Sequence, residues 1–320
     1  MTVRWGIAGT GGIAARFVEA LRQTPDAELV AVGSRTDRRA DAFADEWGIP
    51  RRHGDYDDLA ADEDVDVVYV ATPQSRHADD ACRYLDAGKH VLCEKPMAMT
   101  EAEVLRMTAS AGLAERFLME AIWSRFLPSY VTLWELLLQG RIGEPLLVES
   151  DFGFRMPVDA SHRLFDPARG GGALLDLGIY PLQLASWVLG PPDGVAAVGH
   201  VGETDVDETV VATLHHPGGR LGVAKASIRV NLPCTGRIVG SEGTIELPAM
   251  MHCPESLVVR DAFGQAEELA RPIEGEGLRY QVTEVHRCIA EGLPESPVMT
   301  LAESARLAAT MDQIRDQIDR

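Results

Sequence analysis

Short apolar runs alternate with amphipathic stretches along the first third of the chain. Residues 3–8 are apolar, and Ala14, Phe17 and Leu21 then recur on one helical face. A second strand is predicted over 29–32, and a helical pattern over 38–47 stops at Gly48. The run 65–71 is apolar nearly throughout, as expected of a parallel strand covered on both faces. A helix over 75–85 stops at Gly88, and a fourth strand spans 90–93. Thr100 with Glu103 has the form of a capping box that opens another helix, and 116–119 reads as a fifth short strand. Alternation of this kind predicts a parallel sheet with right-handed crossovers.

The pattern changes after Pro145. Residues 146–152 predict a strand, 153–167 a polar-aromatic loop, and 171–189 an element that is apolar on nearly every side. Strand candidates follow at 196–200, 208–215, 221–230, 235–239, 243–247 and 256–260. Two helices close the chain at 277–290 and 300–318, the second with its own cap pattern in Thr300 and Glu303. A largely antiparallel open sheet with helices on one face fits this order. The expected division is an α/β domain over 1–121 and an α+β domain over 122–320.

Forty-nine acidic residues against 30 basic ones give a formal charge of -19, a field that disfavours nucleic acid and anionic membrane surfaces. No apolar run is expected to reach the length of a membrane span, and the N-terminus enters a strand at once, leaving no room for a signal peptide. The five cysteines are scattered without a CxxC pair, which predicts reduced thiols and a cytoplasmic protein. The histidines lack metal-ligand spacing, so no metal is expected.

Gly9-Thr10-Gly11-Gly12-Ile13-Ala14 follows the first strand and opens the first helix. Gly9 permits a tight turn, Gly11 lets backbone approach a pyrophosphate, and Ala14 keeps helix and sheet close. This predicts a Rossmann dinucleotide-binding domain. After the second strand the chain reads Gly33-Ser34-Arg35-Thr36-Asp37-Arg38-Arg39. A hydroxyl and guanidinium groups there suit a 2′-phosphate, which a carboxylate would repel, so NADP is favoured over NAD. Asp37 is read as the cap of the next helix, and Arg38 and Arg39 have a second reading as solvated helix-start residues.

Chemistry is expected on the same rim, beyond the carboxyl ends of the strands. Ala71-Thr72-Pro73 leaves the third strand beside the expected ribose and nicotinamide. His77 reads equally as a cofactor contact or as an ordinary helix-start side chain. Glu94-Lys95-Pro96 leaves the next strand. Pro96 restricts Lys95, Glu94 can orient it, and desolvation or a neighbouring cation lowers a lysine pKa from about 10.4. Far along the chain, Gly170-Gly171-Gly172 precedes Asp176 and Tyr180, four apart and on one helical face. A charge in so apolar a segment needs a partner, Gly178 leaves room for a ligand or close backbone, and Pro181 forfeits a helical hydrogen bond. The alternative is a buried, backbone-satisfied aspartate beside a packing tyrosine.

These motifs, together with Gly88-Lys89-His90-Val91-Leu92-Cys93 before Glu94, resemble the glucose–fructose oxidoreductase, inositol dehydrogenase and related NAD(P)-dependent oxidoreductase family over essentially the whole chain. The resemblance implies that Lys95 is the active-site lysine and Asp176 a substrate contact. It also implies a first domain that binds NAD(P) and a second that binds substrate and oligomerises. Tyr180, where inositol dehydrogenase-like members have histidine, is similar to the branch with dihydrodiol and D-xylose dehydrogenases, as are Phe117 to Phe126 and Arg163 to Pro167. That branch places Trp123 beside cofactor and substrate and implies a homodimer or homotetramer formed through the second domain's sheet.

The expected reaction is hydride transfer between the nicotinamide and a carbinol or carbonyl carbon of a sugar, polyol or diol. Tyr180 is the expected acid/base, with Lys95 lowering its pKa; the reverse assignment stays open. Trp123, Phe152, Phe154 and Phe165 offer an apolar wall, and Arg163 a polar contact. A nucleotide-activated sugar, held by Arg155, Arg163 and Arg169, is the second substrate reading. A non-catalytic NADP-binding protein is the alternative of another class.

Overall fold

The computed structural model describes residues 2–318. Its first sheet is built from β1 (Val3–Ala8), β2 (Ala27–Gly33), β3 (Arg51–His53), β4 (Val67–Val70), β5 (His90–Cys93) and β6 (Leu118–Glu120). They lie in the order β3-β2-β1-β4-β5-β6, and every pairing is parallel. The connecting helices are α1 (Gly12–Arg22), α2 (Asp37–Trp47), α3 (Tyr56–Ala61), α4 (His77–Asp86) and α5 (Glu101–Ala114). β4 is buried along its whole length, as a central strand covered on both faces should be. The capping box at α5 is present: Thr100 Oγ1 accepts the Glu103 amide at 3.3 Å. β3 and α3 were not expected. β3 is a three-residue charged edge strand with no apolar period, held by side chains: His53 and Arg51 both reach buried Asp62.

The rest of the chain forms α6 (Pro128–Leu138), β7 (Pro145–Gly153), α7 (Ile179–Leu189), β8 (Gly194–Val201), β9 (Asp207–His216) and β10 (Arg220–Ser227). It continues with β11 (Gly236–Gly240), β12 (Gly243–Leu247), β13 (Ser256–Asp261) and β14 (Ala266–Ala270), and ends in α8 (Arg279–Ala290) and α9 (Leu301–Ile318). The eight strands are ordered β14-β13-β12-β11-β7-β10-β9-β8. The sheet is antiparallel except for the central β7–β10 pair, which is parallel. α7 packs on one face over β7 and β10, with Gly222 and Gly236 admitting Ala185 and Leu184. The stretch Pro167–Leu189 is, contrary to expectation, long and apolar enough to cross a membrane by length and composition, but 83% of its most apolar window is buried in the protein. Covering a sheet demands the same composition.

The described residues divide into two compact units, 2–126 with Glu274–Ala305, and Leu127–Ile273 with 306–318. The continuous second segment expected from residue 122 onward is therefore interrupted. α8 packs on α1 and on the turn Trp123–Phe126. Fully buried Arg125 fastens that turn by donating to the Val298 carbonyl at 3.1 Å and to Glu303 at 2.7 Å.

Buried histidines whose pKa values burial lowers, His90 and His286 together with His77, should make the first unit acid-sensitive. His90 Nδ1 accepts the Phe117 amide at 2.9 Å, and burial, aided by Arg116, pushes its pKa down to about 4. His286 Nε2 accepts the Trp5 indole N–H at 3.0 Å, and burial lowers its pKa too. Unfolded, all three titrate near the ordinary value of about 6.5. Below that value the unfolded chain binds more protons than the folded one, so stability falls as pH drops from 6.5 towards 4. His90→Asn, which keeps an acceptor but cannot titrate, should flatten this slope in thermal melts between about pH 7 and pH 4.5. An unchanged slope would remove His90 from the account.

Candidate active site

Gly9 stands at φ +116°, and a Cβ there would meet the Ala71 carbonyl oxygen at 2.6 Å. Only glycine lets the ends of β1 and β4 approach this closely. A Cβ on Gly11 or Gly12 would meet nothing within 4 Å, so both present bare backbone. Gly11 caps α1 without a side-chain bond, and its first turn carries no acid. The uncapped amides are suited to an anion. Thr10 and Ile13, both half-buried, flank them. Across the rim Thr72 Oγ1 is buried with no hydrogen-bond partner among the described residues, and Pro73 is exposed beside it. The bare glycines, uncapped helix and orphaned hydroxyl fit a dinucleotide.

Beyond β2, Ser34 is buried, with its amide on the His53 carbonyl at 3.0 Å, while Arg35 and Arg38 are exposed. Asp37 is not the cap: Thr36 holds that position, and the Asp37 carboxylate lies where a Cβ on Gly54 would stand. The half-buried Tyr56 phenol is pushed up by burial and by Asp80, against the opposing charges of Arg35, Arg76 and Arg39. Arg35 thus belongs to a group of three cations around Tyr56. Arg39 and Arg76 join it only through the fold.

Lys95 is half-buried on a turn whose other residues are held by buried polar groups. Its amide donates to Glu94 Oε2 at 3.2 Å, and the Tyr69 hydroxyl donates to Glu94 Oε1. The Lys95–Pro96 peptide is cis. The Met97 amide donates to Glu120 at 2.8 Å, and burial raises the Glu120 pKa. His77 is 1% exposed, with Nδ1 on the Pro96 carbonyl and Nε2 on the Thr72 carbonyl, each at 2.9 Å. Both ring nitrogens face backbone carbonyls; burial lowers the His77 pKa, and a neutral ring donates to only one of the two. His77 ties the β4 turn to the β5 turn. Trp123 is buried in the same unit, with the Arg16 guanidinium 5.3 Å from its ring.

In the second unit, a π-helical turn over Leu174–Gly178 leads into α7, the Ile179 amide reaching back to the Leu174 carbonyl. Such turns are frequent at functional sites. Gly172, at φ +116°, makes way for Asp207, which accepts the Leu174 amide at 2.6 Å. The expected room at Gly178 is filled by packing: a Cβ there would stand 3.2 Å from Leu174 and 3.5 Å from Ala226 of β10. Asp176 has its charge partner in Arg163, whose two terminal nitrogens reach the two carboxylate oxygens at 2.9 and 3.2 Å. The Tyr180 ring is 6% exposed, 5.5 Å from Phe152 and 5.0 Å from His252, and those two rings stack at 4.6 Å. His252 carried no sequence signal, because only β12–β13 topology returns it to α7. Phe154 is exposed, and buried Phe165 lines a cavity of about 450 Å³ with Arg155, His200 and Arg229. Arg169 is engaged with Asp166 at 3.0 Å.

The family profile "Oxidoreductase family, NAD-binding Rossmann fold" matches residues 3–121, and "GFO/IDH/MocA C-terminal domain" matches 130–246. The chain is 41% identical to trans-1,2-dihydrobenzene-1,2-diol dehydrogenase of Mus musculus, over 99% of this chain and 97% of that one. The Danio rerio protein of the same name is also 41% identical, with the same shares covered. Among solved structures, an aldose-aldose oxidoreductase from Caulobacter crescentus complexed with glycerol superposes with a TM-score of 0.90 at 27% identity, covering 100% of this chain and 98% of that one. A 3-ketoreductase from Actinomadura kijaniata, in complex with NADP and TDP-benzene, gives 0.88 at 28% identity, covering 99% and 98%.

Proposed function

Because the chain belongs to the GFO/IDH/MocA oxidoreductase family, we propose that it transfers a hydride between NADP(H) and the carbinol or carbonyl carbon of a small trans-diol, sugar or polyol. The observation that carries the substrate class is the Asp176–Arg163 fork beside an aromatic-walled Tyr180. A carboxylate held by a guanidinium stays ionised and accepts from a neighbouring substrate hydroxyl. Phe152 and His252 give that substrate a flat wall.

Gly9, Thr10, Gly11, Gly12 and Ile13 would hold the pyrophosphate, Ala71, Thr72, Pro73 and Glu94 the ribose and nicotinamide side, and Ser34, Arg35 and Arg38 the 2′-phosphate. When bound, the nicotinamide accepts or supplies the hydride. Tyr180 takes the proton from the reacting hydroxyl in oxidation and returns it in reduction. A phenol near 10 is a poor base at neutral pH unless a cation assists it, and that is the role proposed for Lys95. Trp123 and Phe154 complete the apolar contacts.

The nucleotide-sugar reading is the weaker one. It needs several cations for a diphosphate, and Arg163 and Arg169 are already committed to Asp176 and Asp166. Trans-diols, aldoses, polyols and a nucleotide-linked ketosugar, each assayed with NADP+/NADPH and NAD+/NADH, decide the matter. Turnover is expected with an unphosphorylated diol or sugar, and activity confined to the nucleotide-linked compound would refute this reading. Arg35→Asp should move the kcat/KM preference towards NAD by about a hundredfold, since it removes a charge-assisted contact and adds repulsion. Unchanged preference would refute its role. We further propose a homodimer or homotetramer through the sheet face opposite α7, where Val198, Val211 and Leu221 are exposed. A monomer in sedimentation would refute it.

A further inference from the structure

Tyr69 reads in sequence as a core residue of the apolar strand Val67-Val68-Tyr69-Val70. It is fully buried, yet its hydroxyl donates to Glu94 Oε1, and Glu94, itself 7% exposed, uses Oε2 to take the Lys95 amide. A buried carboxylate that loses a donor is left with an unmet hydrogen bond, and it rotates or takes up a proton to relieve it. The ring that carries the hydroxyl is fixed as well. Phe17 of α1 stacks on it with centroids 3.7 Å apart and planes 14° apart, and Trp5 packs its edge on Phe17 at 5.3 Å.

We propose that Tyr69 is a positioning residue for Lys95, acting through Glu94 to set the backbone from which the ammonium projects. His77 and Glu120 hold the following residues, Pro96 and Met97, but neither touches Glu94 or the Lys95 amide in the bonds they make here. Tyr69 therefore controls the start of the turn, and the other two control its end. This rests on the reading of Lys95 as the active-site lysine. It extends that reading to a residue with no access to substrate.

The test uses the full-length enzyme, NADP+, and the best-turned-over alcohol of the panel above. Tyr69→Phe keeps the ring and its stack on Phe17 while removing the hydroxyl. It should lower kcat about ten- to thirty-fold with the NADP+ dissociation constant nearly unchanged, while the melting temperature falls by only a few degrees for the lost buried hydrogen bond. In a Lys95→Ala background the same change should cause no further loss, because its route to the reaction is gone. Glu94→Gln keeps one acceptor oxygen but sets an NH2 group against either the Tyr69 hydroxyl or the Lys95 amide, so it should lose at least as much as Tyr69→Phe, and combining the two should be less than additive. A Tyr69→Phe enzyme within two-fold of the parent, or one that loses as much activity with and without Lys95, overturns the proposal. Should Lys95→Ala itself leave turnover intact, the reading of the lysine fails instead, so the two failures are distinguishable.

Discussion

Lys95→Ala is expected to lower kcat by about a thousandfold or more, while NADP(H) affinity changes by less than about threefold. Two physical facts separate the effects. The anchors of its turn are the Lys95 amide, the Pro96 carbonyl and the Met97 amide, all backbone groups that survive truncation beyond Cβ. The features that fit a pyrophosphate, bare Gly11 and Gly12 and the uncapped start of α1, lie on β1 and α1. Under the proposed mechanism, removing the ammonium takes a charge from the reacting oxygen and leaves the glycine-rich start of α1 untouched. Steady-state kinetics and equilibrium titration with NADP(H) measure the two quantities independently. A kcat within a few-fold of the parent would end the mechanism proposed above.

Tyr180→Phe should cost about a hundred- to a thousandfold in kcat, the range of a lost general acid/base. The ring remains, so its contacts with Phe152 and His252 persist and the melting temperature should hardly move. This distinguishes a missing proton carrier from a damaged wall, since a wall defect would raise the substrate KM first. If Tyr180→Phe retained kcat within a few-fold while Lys95→Ala did not, the lysine alone would carry the proton.

The parts of the site legible in sequence share one property: their chemistry is local. Gly9 is needed because its own φ is positive and its own neighbour in space is a backbone carbonyl. Thr100 and Glu103, or Thr300 and Glu303, cap helices within one turn. Asp37 shows where local reasoning slips, because Thr36 and Asp37 are both cap-forming types and the approach of Gly54 decides which side chain does what. β14, a mostly exposed edge strand, escaped for the same reason as β3. Neither has an apolar period, and each exists through a partner strand.

By itself the sequence determined the parallel α/β unit, the glycine cradle, the lysine turn and the pairing of Asp176 with Tyr180 on one helical segment. Each is encoded by periodicity or by conformational demands within a few residues. Only the tertiary structure decided what surrounds them. It gave Asp176 to Arg163, turned both His77 nitrogens towards carbonyls, and gathered Arg39 and Arg76 near Arg35. It also brought His252 to Tyr180, returned α8 to the first unit, and set Tyr69 under Glu94. A polar partner for a buried group is selected by distance in space, and no pattern along the chain encodes distance between strands.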